Sequence, residues 1–257
     1  MASFVCFYYG ATGSTWLLET LNSSPQVWVP GFEPVEPWAW GADDKTKVEW
    51  IRTALNPPVG DTQGLDAWWE LLRSSPQVTG SYLPSLTSVG FKVSTTALDQ
   101  TDDLLDVFAD LRTPLIFLMR RNRIKHALSL YRYEEEKKSQ FLLDGMQPPT
   151  RLKFRRFDEW LDRSVWLDQQ MSGFRTVCTE RLGPDQITTV AYEDLVSEQG
   201  KEETISHLCS FLGIDRAGLQ PSSVAKATPD DLQDAVINFR RLVRRYRSTP
   251  FGVHLTS

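Results

Sequence analysis

Short apolar runs alternate along this chain with longer segments in which apolar residues recur every three or four positions. Runs of the first kind are typical of buried parallel strands, and segments of the second kind are typical of amphipathic helices. The pattern predicts strands over 3–8, 26–30, 89–94, 114–119 and about 187–191. It predicts helices over 14–22, within 44–73, over 101–111, from 123 onward and around 157–182, with a mostly helical C-terminal half. This alternation predicts one α/β domain over 1–257, with a central parallel sheet between two layers of helices.

The strand predicted over 114–119 leads into a segment that carries basic residues and one serine. Arg121, Lys125, Ser129 and Arg132 share one stripe if the helix extends back to residue 121. An arginine at the carboxyl end of a strand, followed by a hydroxyl two helical turns later, is suited to binding a phosphate. A solvated basic helix face is the plainer alternative.

The first predicted strand leads into a turn rich in glycine and hydroxyl groups. Gly10 and Gly13 permit tight turning, and Thr12, Ser14 and Thr15 lie where the next helix begins. Unpaired N–H groups at the start of a helix attract an anion, and hydroxyl donors strengthen that attraction. An ordinary capped turn between strand and helix is the alternative. No lysine follows Gly13 as the Walker A pattern requires, which disfavours an ATP or GTP phosphotransferase of that type.

These two segments together resemble the sulfotransferase family, whose members use 3′-phosphoadenosine 5′-phosphosulfate (PAPS). Thr12-Gly13-Ser14-Thr15-Trp16-Leu17 resembles the family's 5′-phosphosulfate loop. Arg121, followed eight residues later by Ser129, resembles the family's 3′-phosphate motif. Tyr192-Glu193-Asp194-Leu195 and Phe211-Leu212-Gly213-Ile214 resemble two later segments of the family, in the family's order. The similarity is to the soluble bacterial type, which includes trehalose-modifying carbohydrate sulfotransferases.

The resemblance implies a P-loop-like version of the predicted fold. It also implies transfer of a sulfuryl group from PAPS, as co-substrate, to a hydroxyl of a carbohydrate, lipid or other small molecule, without a metal. The residues that it implies for binding PAPS are Gly10, Ala11, Thr12, Gly13, Ser14, Thr15, Trp16, Arg121, Ser129 and Tyr192.

Ala11 departs from the family pattern, because the family normally carries lysine or arginine at this position, near the oxygen that bridges phosphate and sulfate. Bond cleavage builds negative charge on that oxygen, and loss of one such donor can cost ~10²–10³ in rate. Lys92, in the strand predicted over 89–94, is the candidate replacement, with Arg120 and Arg123 as further candidates. Lys92 on an edge strand with a solvated ammonium is the alternative.

Three functional interpretations of Ala11 therefore stay open. Another cation reaches the bridging oxygen, or the amides and hydroxyls of the loop suffice, or the chain binds PAPS without catalysing transfer. A P-loop kinase-like transferase is a more distant alternative.

The segment 25–34 resembles the family's strand and Gly-Glu-Pro turn, which presents a catalytic glutamate. The resemblance therefore implies that Glu33 is the general base that accepts the acceptor's proton, with Glu36 as the second candidate. Trp38 and Trp40 follow directly and are candidates for lining an acceptor pocket.

The composition limits the classes of partner. A net charge of −5 disfavours general nucleic-acid binding. Three widely spaced cysteines predict no disulfide framework, and three histidines without paired spacing argue against zinc and are expected to be structural. No run approaches the ~20 apolar residues of a membrane span, and the first residues lack the basic start of a signal peptide. We therefore expect a cytoplasmic enzyme without stable membrane insertion, acting on a small-molecule hydroxyl acceptor, and the sequence leaves a homodimer open.

Overall fold

The structure is a computed structural model that describes residues 3–30, 33–36, 40–58, 61–75, 78, 88–95, 101–136, 148–223, 229 and 231–255. The chain divides into two compact units. The first unit comprises Met1–Tyr9, Gly13–Met119 and Met171–Ser222, and the second comprises Gly10–Thr12, Arg120–Gln170 and Ser223–Ser257.

A parallel sheet of five strands, counted over the described residues, forms the centre of the first unit. The strands are β1 (Phe4–Tyr8), β2 (Val27–Trp28), β3 (Ser88–Ser94), β4 (Leu115–Met119) and β5 (Ile187–Ala191). Their order is β2-β3-β1-β4-β5, and every pairing is parallel. The predicted parallel sheet is therefore confirmed, with β1 in its centre and β3 as an interior strand.

The helices follow the strands in the predicted alternation. They are α1 (Ser14–Asn22), α2 (Asp44–Ala54), α3 (Thr62–Leu72), α4 (Thr101–Leu111), α5 (Arg123–Glu135), α6 (Phe154–Leu182), α7 (Tyr192–Val196), α8 (Glu198–Leu212), α9 (Leu232–Ala235) and α10 (Phe239–Tyr246). Helices α5, α9 and α10 belong to the second unit, and α6 contributes residues to both units. The predicted helical character of the C-terminal half is confirmed.

Neighbouring residues of a strand point to opposite faces of the sheet, so apolar side chains emerge on both faces. Helices cover both of these faces. Phe4 and Cys6 of β1 pack in one apolar cluster with α1 and α8. Phe7, which faces the other way, stacks on Phe117 with ring centroids 5.3 Å apart and meets Phe108 of α4 and Phe174 of α6 edge-on. The predicted three-layer arrangement is confirmed in this unit.

One predicted strand differs in the structure, and so does the backward extension of a helix on which the predicted basic stripe depends. Strand β2 is shorter than the predicted 26–30, because the N–H of Val29 donates to Oδ1 of Asn22 at 2.8 Å and so leaves the strand ladder. Helix α5 begins at Arg123, as predicted, and does not extend back to residue 121, because Oδ1 of Asn122 accepts the N–H of Lys125 at 2.8 Å and caps the helix. Arg121 therefore lies ahead of the helix.

The basic stripe predicted along α5 is wrong at its far end as well. Arg132 is buried, and its Nε donates to Oγ1 of Thr150 at 2.8 Å. This guanidinium thus lies in the interior of the second unit, where residues of α5, α6, α9 and α10 form an apolar cluster.

The three cysteines are buried as free thiols, as the widely spaced pattern predicts. Cys6 lies on β1, Cys178 on α6 and Cys209 on α8, all in the first unit. Burial raises the pKa of Cys6 and of Cys178 to about 12, and it raises the pKa of Cys209 as well.

Candidate functional site

The glycine-bearing turn passes into α1 through a residue that has to be glycine. Gly13 has φ +79°, and a Cβ at this position would lie 2.8 Å from Cδ2 of Tyr192. The ring of Tyr192, at the start of α7, therefore packs directly on the turn. Gly13, at the N-cap of α1, has no side chain that could accept the first amide groups of the helix, and such groups attract an anion.

Lys92 brings a positive charge to this turn from the neighbouring strand. Its side chain lies on interior strand β3 and is buried, so the solvated edge-strand alternative is wrong. The ammonium Nζ donates to Oγ of Ser14 at 3.2 Å and to Oγ1 of Thr15 at 3.0 Å. It also lies 2.9 Å from Oε1 of Glu33. A single buried cation thus contacts both the turn and the predicted general base.

The two carboxylates predicted as base candidates have different surroundings. The side chain of Glu33 is 21 % exposed, and its Oε1 accepts the phenol hydroxyl of Tyr8 at 2.8 Å. Glu36 is buried, and its Oε1 accepts the backbone N–H of Ser94 at 2.7 Å. Burial raises the pKa of Glu36 to about 7. Glu33 is therefore the carboxylate that solvent can reach, and Glu36 is held inside the fold.

Tyr8 completes this group at the carboxyl end of β1. Nζ of Lys92 lies 4.7 Å from the centre of its ring. Burial, followed by the charges of Glu36 and Glu33, raises the pKa of Tyr8 well above its usual range, so the phenol stays protonated and acts as a donor. The hydrophobic pattern identifies Tyr8 only as a strand residue. A hydroxyl at the end of a central strand is the one signal that points to it.

The first half of the turn, Gly10–Thr12, belongs to the second unit, where neighbouring side chains hold its carbonyl groups. Nη1 of Arg120 donates to the carbonyl of Ala11 at 2.9 Å, and Nε2 of His126 lies 2.8 Å from the carbonyl of Gly10. In a trans peptide the next N–H points the opposite way, so the N–H groups of Ala11 and Thr12 face away from Arg120 and His126. Ala11 itself has φ 63°, a left-handed conformation that is unusual for alanine.

His126 has a structural part in this arrangement. Burial, together with the nearby Arg120, lowers the pKa of His126 to about 3, so the ring is neutral. Because a carbonyl can only accept, Nε2 carries the ring proton toward Gly10, and Nδ1 accepts the hydroxyl of Ser164 at 2.7 Å.

Ser129 is contacted by a different arginine from the one that the motif spacing selects. Nη1 of Arg120, which is buried, donates to Oγ of Ser129 at 3.0 Å, and this hydroxyl donates to the carbonyl of Lys125. Arg121 is exposed. Arg123, the other candidate cation, pairs with Asp168 at 2.5 Å. The guanidinium next to Ser129 is thus that of Arg120, and Arg121 lies at the surface of the second unit.

The remaining candidates are placed as follows. Trp16 is half-buried against the apolar cluster of the first unit, with Nζ of Lys201 5.1 Å from its ring. Gly10 has ordinary van der Waals space around it, since a Cβ there would lie 3.6 Å from Leu130. Trp40 packs edge-on against Trp50, whereas Trp38 lies outside the described residues.

Two further findings concern metals and membranes. Within the described ranges, no group of three or more histidine, cysteine, aspartate or glutamate side chains could hold a metal ion. No helix in the described part of the chain combines the length and the apolar character needed to cross a membrane.

The sequence matches the model of the family described as "Sulfotransferase family" over residues 10–218. No curated protein matches it. Among solved structures, it is similar to a sulfotransferase from Alicyclobacillus acidocaldarius, with 14% identity, 99% of this chain and 94% of that chain covered, and a TM-score of 0.49. It is also similar to the sulfotransferase domain from the curacin biosynthetic pathway, with 16% identity, 92% and 83% covered, and a TM-score of 0.49. The corresponding values for the sulfotransferase domain of the Synechococcus PCC 7002 olefin synthase are 17%, 93% and 82%, and 0.46. Because the family model spans most of the sequence, this chain belongs to the sulfotransferase family.

Proposed function

We propose that this protein transfers a sulfuryl group from PAPS to a hydroxyl of a carbohydrate, lipid or other small molecule. The acceptor oxygen gives its proton to Glu33 and attacks sulfur, while the bond from sulfur to the bridging phosphate oxygen breaks. 3′-Phosphoadenosine 5′-phosphate (PAP) then leaves with that electron pair. The observation that carries the proposal is the position of Lys92, within 3.2 Å of the hydroxyls of Ser14 and Thr15 and 2.9 Å from Glu33.

Lys92 supplies the charge that Ala11 lacks. The leaving oxygen gains negative charge in the transition state, so a fixed cation beside it lowers the barrier more than it strengthens substrate binding. An ammonium held by Ser14 and Thr15 is positioned on the turn that would bind the 5′-phosphosulfate. Lys92 therefore has the contacts of a substitute for the family's basic residue at position 11.

The donor's two ends are assigned to separate groups of residues. The residues Gly10–Trp16 bind the 5′-phosphosulfate through backbone N–H groups and hydroxyls, with Tyr192 packed on Gly13. Arg121 and Ser129 bind the 3′-phosphate. The exposure of Arg121 supports this assignment.

Glu33 is the proposed base rather than Glu36. A base has to reach the acceptor hydroxyl, and Glu33 is the partly exposed member of the pair. We also propose a cytoplasmic location, where PAPS is made.

Transfer of radiolabelled sulfate from PAPS into a cell extract tests the reaction and can reveal the acceptor. Glu33→Gln should remove nearly all transfer, whereas Glu70→Gln, an exposed glutamate of α3, should leave it unchanged. Undiminished transfer by Glu33→Gln would remove this residue from the mechanism.

The role of Lys92 can be tested by moving the charge. Lys92→Met should lower the rate by ~10²–10³, the cost of one preorganised donor. Adding Ala11→Lys to Lys92→Met should recover part of that loss, because the new ammonium sits at the family's usual position. A rate unaffected by Lys92→Met would show that amides and hydroxyls suffice.

A non-catalytic PAPS-binding protein is the second candidate, favoured by Ala11 alone. Calorimetry with PAP and with ATP, combined with the transfer assay, separates the two. Tight PAP binding without any transfer would favour the non-catalytic protein, and tighter binding of ATP would overturn the assignment of the donor.

A further inference from the structure

One oxygen atom of Glu33 receives two donors. The phenol of Tyr8 donates to Oε1 at 2.8 Å, and Nζ of Lys92 lies 2.9 Å from the same atom. Both of these contacts are made by side chains from the carboxyl-end half of neighbouring strands, β1 and β3. Two strands of the sheet therefore hold the Glu33 carboxylate through the same oxygen.

Tyr8 is fixed well enough to orient a neighbour. Its backbone is the last position of the central strand, in register with Ser94 of β3. Its side chain is largely buried, with the Lys92 ammonium over the ring. Because the phenol keeps its proton, Tyr8 remains a hydrogen-bond donor at neutral pH.

A carboxylate oxygen has two in-plane lone pairs, and two donors occupy them. Oε1 of Glu33 has two such donors, Tyr8 and Lys92, so the second oxygen, Oε2, is the better proton acceptor. Two donors from different strands also restrict rotation of the carboxylate about its last bond. The result is one defined basic atom on a carboxylate that would otherwise sample several orientations.

We propose that Tyr8 is a positioning residue that, together with Lys92, holds Glu33 so that Oε2 takes the acceptor's proton. The inference rests on the proposed function, because it assigns an atom to the proposed base. Tyr8 matters most when Lys92 is engaged with the leaving oxygen. The phenol then keeps the carboxylate in place while the ammonium is shared.

Tyr8→Phe tests this role, since it removes only the hydroxyl and keeps the ring beneath Lys92. We expect kcat to fall ~10–100-fold, because a small displacement of a reacting group can cost that much. The KM for PAPS and the affinity for PAP should stay within about twofold of the parent values, because a positioning role for the base leaves donor binding intact.

The division of the effect between kcat and donor binding is the readout that a purely structural role would not show. A general loss of structure should weaken PAP binding together with kcat, whereas loss of the phenol alone should lower kcat and leave the PAP affinity near the parent value. A loss confined to kcat therefore reports the missing phenol.

Two controls make the result specific. Tyr131→Phe removes a buried phenol from the second unit, where its oxygen accepts the N–H of Lys153 at 3.3 Å, and it should leave kcat unchanged. In a Glu33→Gln background, Tyr8→Phe should cost less than about a further twofold, since Tyr8 acts through Glu33. An unchanged kcat in Tyr8→Phe would overturn the inference, and so would an equal loss in both backgrounds.

A measurement without turnover separates this inference from the proposed function. The carboxyl carbon of Glu33 can be observed by NMR at one fixed neutral pH in the parent and in Tyr8→Phe. A changed chemical shift in the variant supports the donation even if no acceptor is found, whereas equal chemical shifts contradict it. Absence of sulfuryl transfer by the parent enzyme would count against the proposed function alone.

Discussion

Gly13 satisfies two requirements at once, a left-handed backbone and close packing against the ring of Tyr192. Gly13→Ala should therefore lower the free energy of unfolding by about 1–3 kcal/mol, measured by urea denaturation. Gly173, on α6, is the matched control, because a methyl group added there would meet nothing within 4 Å beyond the backbone of its own helix. Gly173→Ala should raise stability by about 0.5–1 kcal/mol, because alanine is the better helix former. Equal effects of the two changes would show that the turn does not require glycine.

Glu36 makes a distinct contribution to the pH dependence of stability. Its pKa rises from 4.5 to about 7 in the fold, so the native state binds a proton that the unfolded state releases within that window. The protein therefore loses stability from this group as the pH rises through the same window, on the order of 3 kcal/mol at ~1.4 kcal/mol per pKa unit.

Glu36→Gln keeps an oxygen for the N–H of Ser94 but cannot ionise. The free energy of unfolding can be measured with urea at about pH 5 and at about pH 8, which lie on either side of most of this titration. The variant should be about as stable as the parent at the lower pH and more stable than the parent at the higher pH. A constant difference between the two proteins would contradict the burial argument.

At the scale of elements, β1 and β3 fit together through an aromatic ring that lies over a glycine. Phe4 is in register with Gly90, and a Cβ on Gly90 would lie 2.1 Å from the ring of Phe4. Gly90→Ala should therefore cost about 1–3 kcal/mol through overpacking. Combining it with Phe4→Leu should cost clearly less than the sum of the two single changes, because the smaller side chain frees the space. Strict additivity in urea denaturation would show that the ring and the glycine are not in contact.

Elements that depend on local patterns could be predicted from the sequence. Helix α4 and strand β5 have the predicted bounds, because an amphipathic period and a short apolar run are properties of neighbouring residues. The end of β2 could not be predicted, because the side chain of Asn22 takes the N–H of Val29.

The candidate site could be predicted only in part, because its contacts depend on pairings between distant segments. Lys92 and Glu33 are each identifiable from the sequence, but their contact requires β2, which precedes Glu33, to pair with β3, with Trp28 in register with Val89. Tyr8 joins the group through the pairing of β1 with β3. The selection of Arg120 rather than Arg121 as the neighbour of Ser129 depends on how the chain leaves β4, which residue spacing does not specify.

At the scale of the whole molecule, ligand binding should be visible as stability. PAP at about one hundred times its dissociation constant should raise the free energy of unfolding by about 2.7 kcal/mol. Adenosine 5′-monophosphate at the same concentration should raise it less, because it offers no 3′-phosphate to Arg121 and Ser129. Thermal denaturation with each nucleotide measures the difference.

Arg121→Gln should remove most of the advantage of PAP over adenosine 5′-monophosphate. Arg240→Gln, which changes an exposed arginine of α10, should retain it. A full advantage in Arg121→Gln would move the 3′-phosphate to another group.

The buried thiols can be used to detect local opening of the core around them. Alkylating reagents attack the thiolate, and at neutral pH Cys6 and Cys178 are almost entirely protonated as well as shielded. Incorporation of label into the native protein therefore waits for the surrounding core to separate. Mass spectrometry of the labelled peptides over time would then time the exposure of a sheet strand and of a long helix independently, without any added probe.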